Sequence, residues 1–193
     1  MRPAPVIFLL FAFLRVSSAQ VGEISVSLGE SLFKNNKLGF TDATTQYQLN
    51  DGFGFAARLT LNTKRFLGHE FGYAYSHPKL AITGGGSESG MGVHTGFYDL
   101  LLYMSPEGTR IRPFVAGGGQ FSTFVPPGAS VTYGQGTTKY GFNYGAGIKM
   151  RVSSMFAIRL DVRDYSTGKP FDLINRSGWI HQVQVSGGVG IFF

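Results

Sequence analysis

From residue 20 onward the chain alternates. Apolar side chains recur at every second position in segments of about ten residues, each bounded by Gly, Pro, Asn, Asp or Ser, which is the signature of strands rather than helices. Residues 155–165 show it best: Phe156, Ile158, Leu160 and Val162 alternate with Ala157, Arg159, Asp161 and Arg163, so one face is greasy and the other charged. Residues 140–152 repeat the pattern, with Tyr140, Phe142, Tyr144, Ala146 and Ile148 set against Gly141, Asn143, Gly145, Gly147, Lys149 and Arg151. The same two-faced design runs through 52–62, 67–76, 111–124 and 179–193, and more weakly through 23–33 and 91–104. In 91–104, Tyr98, Leu100 and Leu102 face outward with Asp99 inward, although Leu101 and Tyr103 blur the contrast. No stretch beyond residue 20 sustains a 3.6-residue apolar period.

The eight segments are joined by connections that alternate in length. Residues 34–51, 77–90, 125–139 and 166–178 are long; 63–66, 105–110 and 153–154 are short. An even number of strands with tight turns at one end and long loops at the other matches an up-and-down transmembrane barrel. Both termini then fall at the short-turn, periplasmic end, and the long connections are expected to be small and polar outside.

Alternation alone also suits a soluble sandwich or a lipocalin-type barrel, which turns its apolar face inward. The placement of charge separates the cases. Arg58, Glu70, Asp99, Lys149, Arg151, Arg159, Asp161 and Arg163 all share the face opposite the aromatic and aliphatic one, together with many glycines. Aromatic residues such as Tyr73, Tyr75, Phe121, Tyr140, Tyr144 and Phe156 lie towards strand ends on the apolar face, where lipid headgroups would meet them. The expected fold is an all-β, eight-stranded antiparallel transmembrane β-barrel, closed because hydrocarbon offers no hydrogen-bond partner to an open strand edge.

Residues 1–19 have the form of an export signal. Arg2 precedes the apolar run 6–14, and Ser17, Ser18 and Ala19 supply the small residues of a cleavage site. That run is far shorter than the roughly 20 residues of a spanning helix. Cleavage after Ala19 leaves one barrel domain, 20–193.

Composition sharpens the picture. Charged residues make up 15% of the 193, against about 25% in soluble domains. There is no cysteine, hence no disulfide, thiol nucleophile or thiolate metal site. The formal charge of +6 raises nucleic acid as a partner, but the basic residues are scattered singly along the chain and form no run.

The closing segment 183–193, with its aromatic last residue, and Arg112-Pro113-Phe114-Val115 followed by Gly117-Gly118-Gly119 resemble the bacterial outer-membrane β-barrel family of OmpA/OmpX-like size. The resemblance spans nearly all of 20–193. It implies a Gram-negative-type cell envelope, contact with outer-membrane lipid and lipopolysaccharide, and insertion by the barrel-assembly machinery. In that family the terminal aromatic belongs to the assembly signal, which points to Phe193, with Ile191 two positions before it.

Candidate chemistry is sparse. The inward charges form either a site for an anionic ligand or a gate, or they pair with one another; pairing is favoured because a buried charge persists only when partnered. A barrel of this size is filled by its own side chains, so any conductance is small. His69, His77, His94 and His181 share no metal-ligand spacing, and none has a serine two residues later, the pair that lipid A deacylases carry on one strand. Gly52-Phe53-Gly54-Phe55-Ala56-Ala57 imitates a dinucleotide fingerprint but lies inside a strand pattern. The expectation is a barrel with a structural, adhesive or surface-protective role, no catalysis and no cofactor, and with external loops open to a protein partner. A soluble carrier of apolar ligands and a lipid-modifying hydrolase are the alternatives.

Overall fold

The structure of the protein, a computed structural model, describes residues 21–41, 45–82, 88–130, 133, 135–171, 173–174 and 178–193. The expected export signal lies outside the described residues. Among the described residues ten strands follow one another: β1 (Val21–Lys34), β2 (Lys37–Phe40), β3 (Gln46–Lys64), β4 (Leu67–Ile82), β5 (Glu88–Gly90), β6 (Gly92–Tyr103), β7 (Ile111–Val125), β8 (Thr137–Arg151), β9 (Phe156–Gly168) and β10 (Trp179–Phe192).

Eight of these close into a barrel. Each of β1, β3, β4, β6, β7, β8, β9 and β10 pairs antiparallel with its neighbours, β10 returns to β1, and the β3–β4 ladder completes the circuit. Closure leaves none of these eight with a free edge, so their backbone polar groups are satisfied within the wall. The two short strands are ribbons above the barrel, β2 on β3 and β5 on β4. Among the described residues no helix is long and apolar enough to cross a membrane.

Register fixes what each face carries. On β9, Ile158 is 41% exposed while its neighbour Arg159 is fully buried, and the contrast continues through Leu160 and Asp161 to Val162 and Arg163. The equivocal segment resolves the same way: Tyr98, Leu100 and Leu102 face out, whereas Phe97, Asp99, Leu101 and Tyr103 face in. Gly72 and Gly147 give the inward rings room, since a Cβ at either position would run into the ring of Phe97 or Phe114. The lumen is therefore filled by charged groups and aromatic rings together. The charged face turned inward is the reverse of a lipocalin-type barrel.

The long-loop end departs from the sequence reading. Strands β3 and β4 run six residues further out than the alternation suggested, from Gln46 and to Ile82. Here the inward positions are apolar: Phe33, Leu49, Val93, Phe124 and Ile180 are buried with Leu38 and Met91 in one cluster, with Tyr47, Leu80, Phe171 and Leu173 packed against it. The crown is thus partly apolar inside, not simply small and polar. Above the bilayer the strands stand in water, so burying apolar groups inward becomes favourable and the sense of alternation inverts.

Candidate functional site: the charged lumen

The largest concentration of chemistry lies inside the barrel. Glu70 of β4 is fully buried among three guanidinium groups. Its Oε2 accepts hydrogen bonds from Arg159 Nη1 at 2.5 Å and Thr60 Oγ1 at 2.9 Å. Its Oε1 accepts from Arg159 Nη2 at 3.0 Å and Arg163 Nη2 at 3.1 Å, with Arg58 Nε at 3.7 Å. Asp161 Oδ2 takes Arg159 Nη2 at 2.6 Å, and its Oδ1 lies 3.4 Å from Arg163 Nε and 3.9 Å from Arg58 Nη2. Arg163 also pairs with Asp99, and Arg58 donates to Ser27 Oγ at 2.5 Å.

A second pair lies nearer the short-turn end. Lys149 Nζ bonds to Glu23 Oε2 at 2.7 Å, and Thr60 at 3.3 Å links it to the Glu70 group. Aromatic faces complete the cage. The guanidinium carbon of Arg159 lies 4.8 Å from the ring centre of Phe114, and that of Arg112 lies 3.6 Å from the ring centre of Tyr103. Ring faces carry negative charge density, so they help hold cations that have left water.

Of the residues singled out in the sequence, Arg58, Glu70, Asp99, Lys149, Arg159, Asp161 and Arg163 come together in this network. Arg151 does not. It is half-buried at the end of β8, and its guanidinium lies over the Phe192 ring at 4.4 Å, because its strand has already reached the rim. Sequence reasoning missed Glu23 and Arg112. Glu23 shares the inward face with Ser25 and Ser27 opposite Ile24, Val26 and Leu28, a signal present in the first segment but weak. Four ion-paired cations (Arg58, Lys149, Arg159, Arg163) meet four anions (Glu23, Glu70, Asp99, Asp161), and Arg112, held by the Tyr103 ring and Arg65 O, adds one further positive charge. Tyr165 Oη, Gln184 and Ser186 Oγ are buried with no hydrogen-bond partner among the described residues. Internal water serves groups of this kind.

The histidines stand on the outer wall or its upper boundary. Three are held by tyrosine hydroxyls: His69 by Tyr98, His94 by Tyr73 and His77 by Tyr75. His181 brings together a serine and an aspartate, with Ser166 Oγ at 2.9 Å and Asp164 Oδ2 at 2.8 Å. Both contact the same ring nitrogen, Nδ1, whereas a nucleophile–base–carboxylate relay needs them at opposite nitrogens, and Ser166 is fully buried. The arrangement fixes a wall side chain and lacks the geometry of that relay.

The proposed assembly-signal residues sit at the seam. Phe193 and Gly22 exchange two backbone hydrogen bonds of 3.0 Å, which fasten the last residue to the first strand. Ile191 faces outward opposite Ile24 and Phe156.

No protein-family model matches the sequence, and no curated protein matches it. Solved structures do resemble the fold. The outer membrane protein OprG from Pseudomonas aeruginosa superposes with a TM-score of 0.61 at 14% identity, over 90% of this chain and 95% of that one. Neisserial surface protein A gives 0.56 at 11% identity, over 90% and 97%. Ail, the attachment invasion locus protein of Yersinia pestis, gives 0.52 at 15% identity, over 90% and 98%, and Ail has also been solved with the heparin analogue sucrose octasulfate. With its closed eight-stranded wall, outward apolar belt and charged lumen, the chain has the fold of the small outer-membrane β-barrels of the OmpA/OmpX-like class.

Proposed function

We propose that this protein is an integral outer-membrane barrel whose lumen is closed by its own side chains and which works through its external loops, in an adhesive, surface-protective or structural capacity, without catalysis. One observation carries the reading: the charged groups are paired inside, and the apolar ones face out. Only a lipid surround makes that distribution favourable, because water outside would reward the opposite one. The same reading has residues 1–19 removed on export after Ala19, both termini in the periplasm beside the short turns, and lipopolysaccharide around the external end. Phe193 and Ile191 serve as the signal for the barrel-assembly machinery. The adhesive role draws support from the likeness to Ail, whose solved complex holds a sulfated sugar.

Envelope fractionation with a comparison of unboiled and boiled samples on a denaturing gel, followed by planar-bilayer recording, tests the proposal. The protein is expected in the outer-membrane fraction, to change mobility on boiling and to conduct only weakly. A soluble periplasmic protein with no mobility change, or a steady porin-sized conductance, contradicts it.

A further inference from the structure

The basic residues that look scattered in the sequence are gathered by the fold at one rim. Lys64 and Arg65 occupy the β3–β4 turn, Arg110 ends the β6–β7 turn and Arg151 ends β8, so all four lie at the short-turn end of the barrel. Lys64, Arg65 and Arg110 are exposed, and Arg151 is half-exposed.

The three turns are tied into a continuous arc. Arg151 N donates to Arg110 O at 2.8 Å, Arg112 Nη2 donates to Arg65 O at 3.4 Å, and Asn62 Nδ2 donates to Glu107 Oε1 at 3.3 Å. Among the described residues Glu107 is the one side-chain carboxylate in these turns, and it is half-buried against Asn62. The other end is different: Lys34, Lys37, Lys79, Lys139 and Lys169 are accompanied by Glu30, Asp51, Glu88 and Asp164, with Lys79 paired to Glu88 at 3.2 Å, which leaves it near neutrality among the described residues.

Directly beside the arc the wall is greasy, with Phe66, Met104, Ile111, Val152, Met155 and Phe156 all at least 46% exposed. Arg65 stands over the Phe66 ring at 5.7 Å and Arg151 over the Phe192 ring at 4.4 Å. Apolar groups at acyl-chain depth, with cations immediately beyond them, match a lipid whose headgroup is a phosphodiester. Arginine suits that partner through its planar fork of donors, and each basic residue near an anionic leaflet adds to the attraction.

We infer that this arc is a docking surface for anionic phospholipid headgroups of the leaflet at the short-turn end. The inference rests on the membrane-barrel reading above.

The test is selective lipid retention. The full chain is inserted into vesicles of equal parts phosphatidylglycerol and phosphatidylcholine, extracted in mild detergent, and the co-purifying lipid is measured by native mass spectrometry. Wild type is expected to retain phosphatidylglycerol well above its bulk share, and high salt is expected to abolish the excess because exposed charges are screened. Lys64→Gln, Arg65→Gln, Arg110→Gln and Arg151→Gln combined should lower the preference by about tenfold or more. The matched exchange of Lys34, Lys37, Lys79 and Lys139 to Gln at the other end should leave it unchanged.

A wild-type protein that inserts and changes mobility on boiling, yet retains the two lipids at their bulk ratio, overturns the docking surface and leaves the barrel reading intact. Equal loss in the two four-fold variants overturns it too, by showing that net charge alone is read. A wild-type chain that does not enter the vesicles refutes both readings. An excess of phosphatidylglycerol that survives high salt also overturns the docking surface, and because this series uses wild type only the inference stays falsifiable even if a variant fails to fold.

Discussion

Replacing Glu70 by Gln should cost the barrel about 3–5 kcal/mol, the usual effect of removing one partner from a buried ion pair. The structure sets the scale. Glutamine has the size of glutamate and retains one acceptor oxygen, so packing is conserved and the change is essentially one of charge. That charge faces Arg159 at 2.5 and 3.0 Å, Arg163 at 3.1 Å and Arg58 at 3.7 Å, all out of water. With it gone, the four ion-paired cations face three anions, and the new amide group points its hydrogens at guanidinium donors. The assay is equilibrium unfolding in urea from lipid vesicles, followed by fluorescence of the single tryptophan, Trp179 on β10. A paired control separates charge from packing. Glu70→Met with Arg159→Met removes one anion and one cation, leaves Arg58, Arg163 and Lys149 against Asp99, Asp161 and Glu23, and should recover at least half of the loss, since apolar replacement of a whole buried pair is often near neutral. A loss below about 1 kcal/mol for Glu70→Gln, against the 3–5 kcal/mol of a broken buried pair, would refute the claim that the network holds the lumen together.

Further predictions test other parts of the molecule. Ile158→Arg places a charge on the outward face at mid-wall and should cost roughly 2–4 kcal/mol in vesicles; full tolerance contradicts the lipid-facing assignment. At the long-loop end, hydrogen bonds from Lys79 and Asn50 hold Glu88 below its ordinary range near 4.5, so the ribbon it fastens gains stability above the unfolded value and loses it as pH falls through the folded one. Limited proteolysis should therefore find the β4–β5 ribbon more readily cut in acid than at neutral pH, and Glu88→Gln should be cut at neutral pH as readily as wild type is in acid. Phe193→Ala should lower the amount assembled in cells while leaving urea stability of the vesicle-folded protein nearly unchanged, because the backbone bonds to Gly22 remain. Equal loss in both measurements would assign Phe193 to stability instead of assembly.

Much of the fold was legible because two strong demands act on each strand: lipid outside requires apolar groups and a narrow closed lumen accepts polar ones. Residues 155–165 display both without ambiguity, and β9 matches them position for position. Legibility failed where one demand lapsed. Above the bilayer, Leu49 and Val93 turn inward to the apolar crown, so alternation no longer marks the inner face as polar, and β3 and β4 run on past their apparent ends. Inside the barrel, Leu101 and Tyr103 look outward-facing by type, yet they pack with Phe114 beneath the charges. Glu23 was missed because a single carboxylate among serines has no local partner; its lysine is 126 positions away. The basic rim was invisible for the same reason: only the barrel's closure places Arg65, Arg110 and Arg151 on one arc.

The account stands or falls on which face of the wall meets lipid. The chain has no native cysteine, so single cysteines can be placed at each of residues 156–163 of β9, spin-labelled, and compared in vesicles for collision with oxygen and with a water-soluble nickel chelate. Oxygen accessibility should peak at positions 156, 158, 160 and 162 and fall at 157, 159, 161 and 163, with the nickel reagent excluded from the peaks. Uniform accessibility along the strand, or peaks that respond to nickel in place of oxygen, would contradict a barrel that carries its charge inside and its lipid outside.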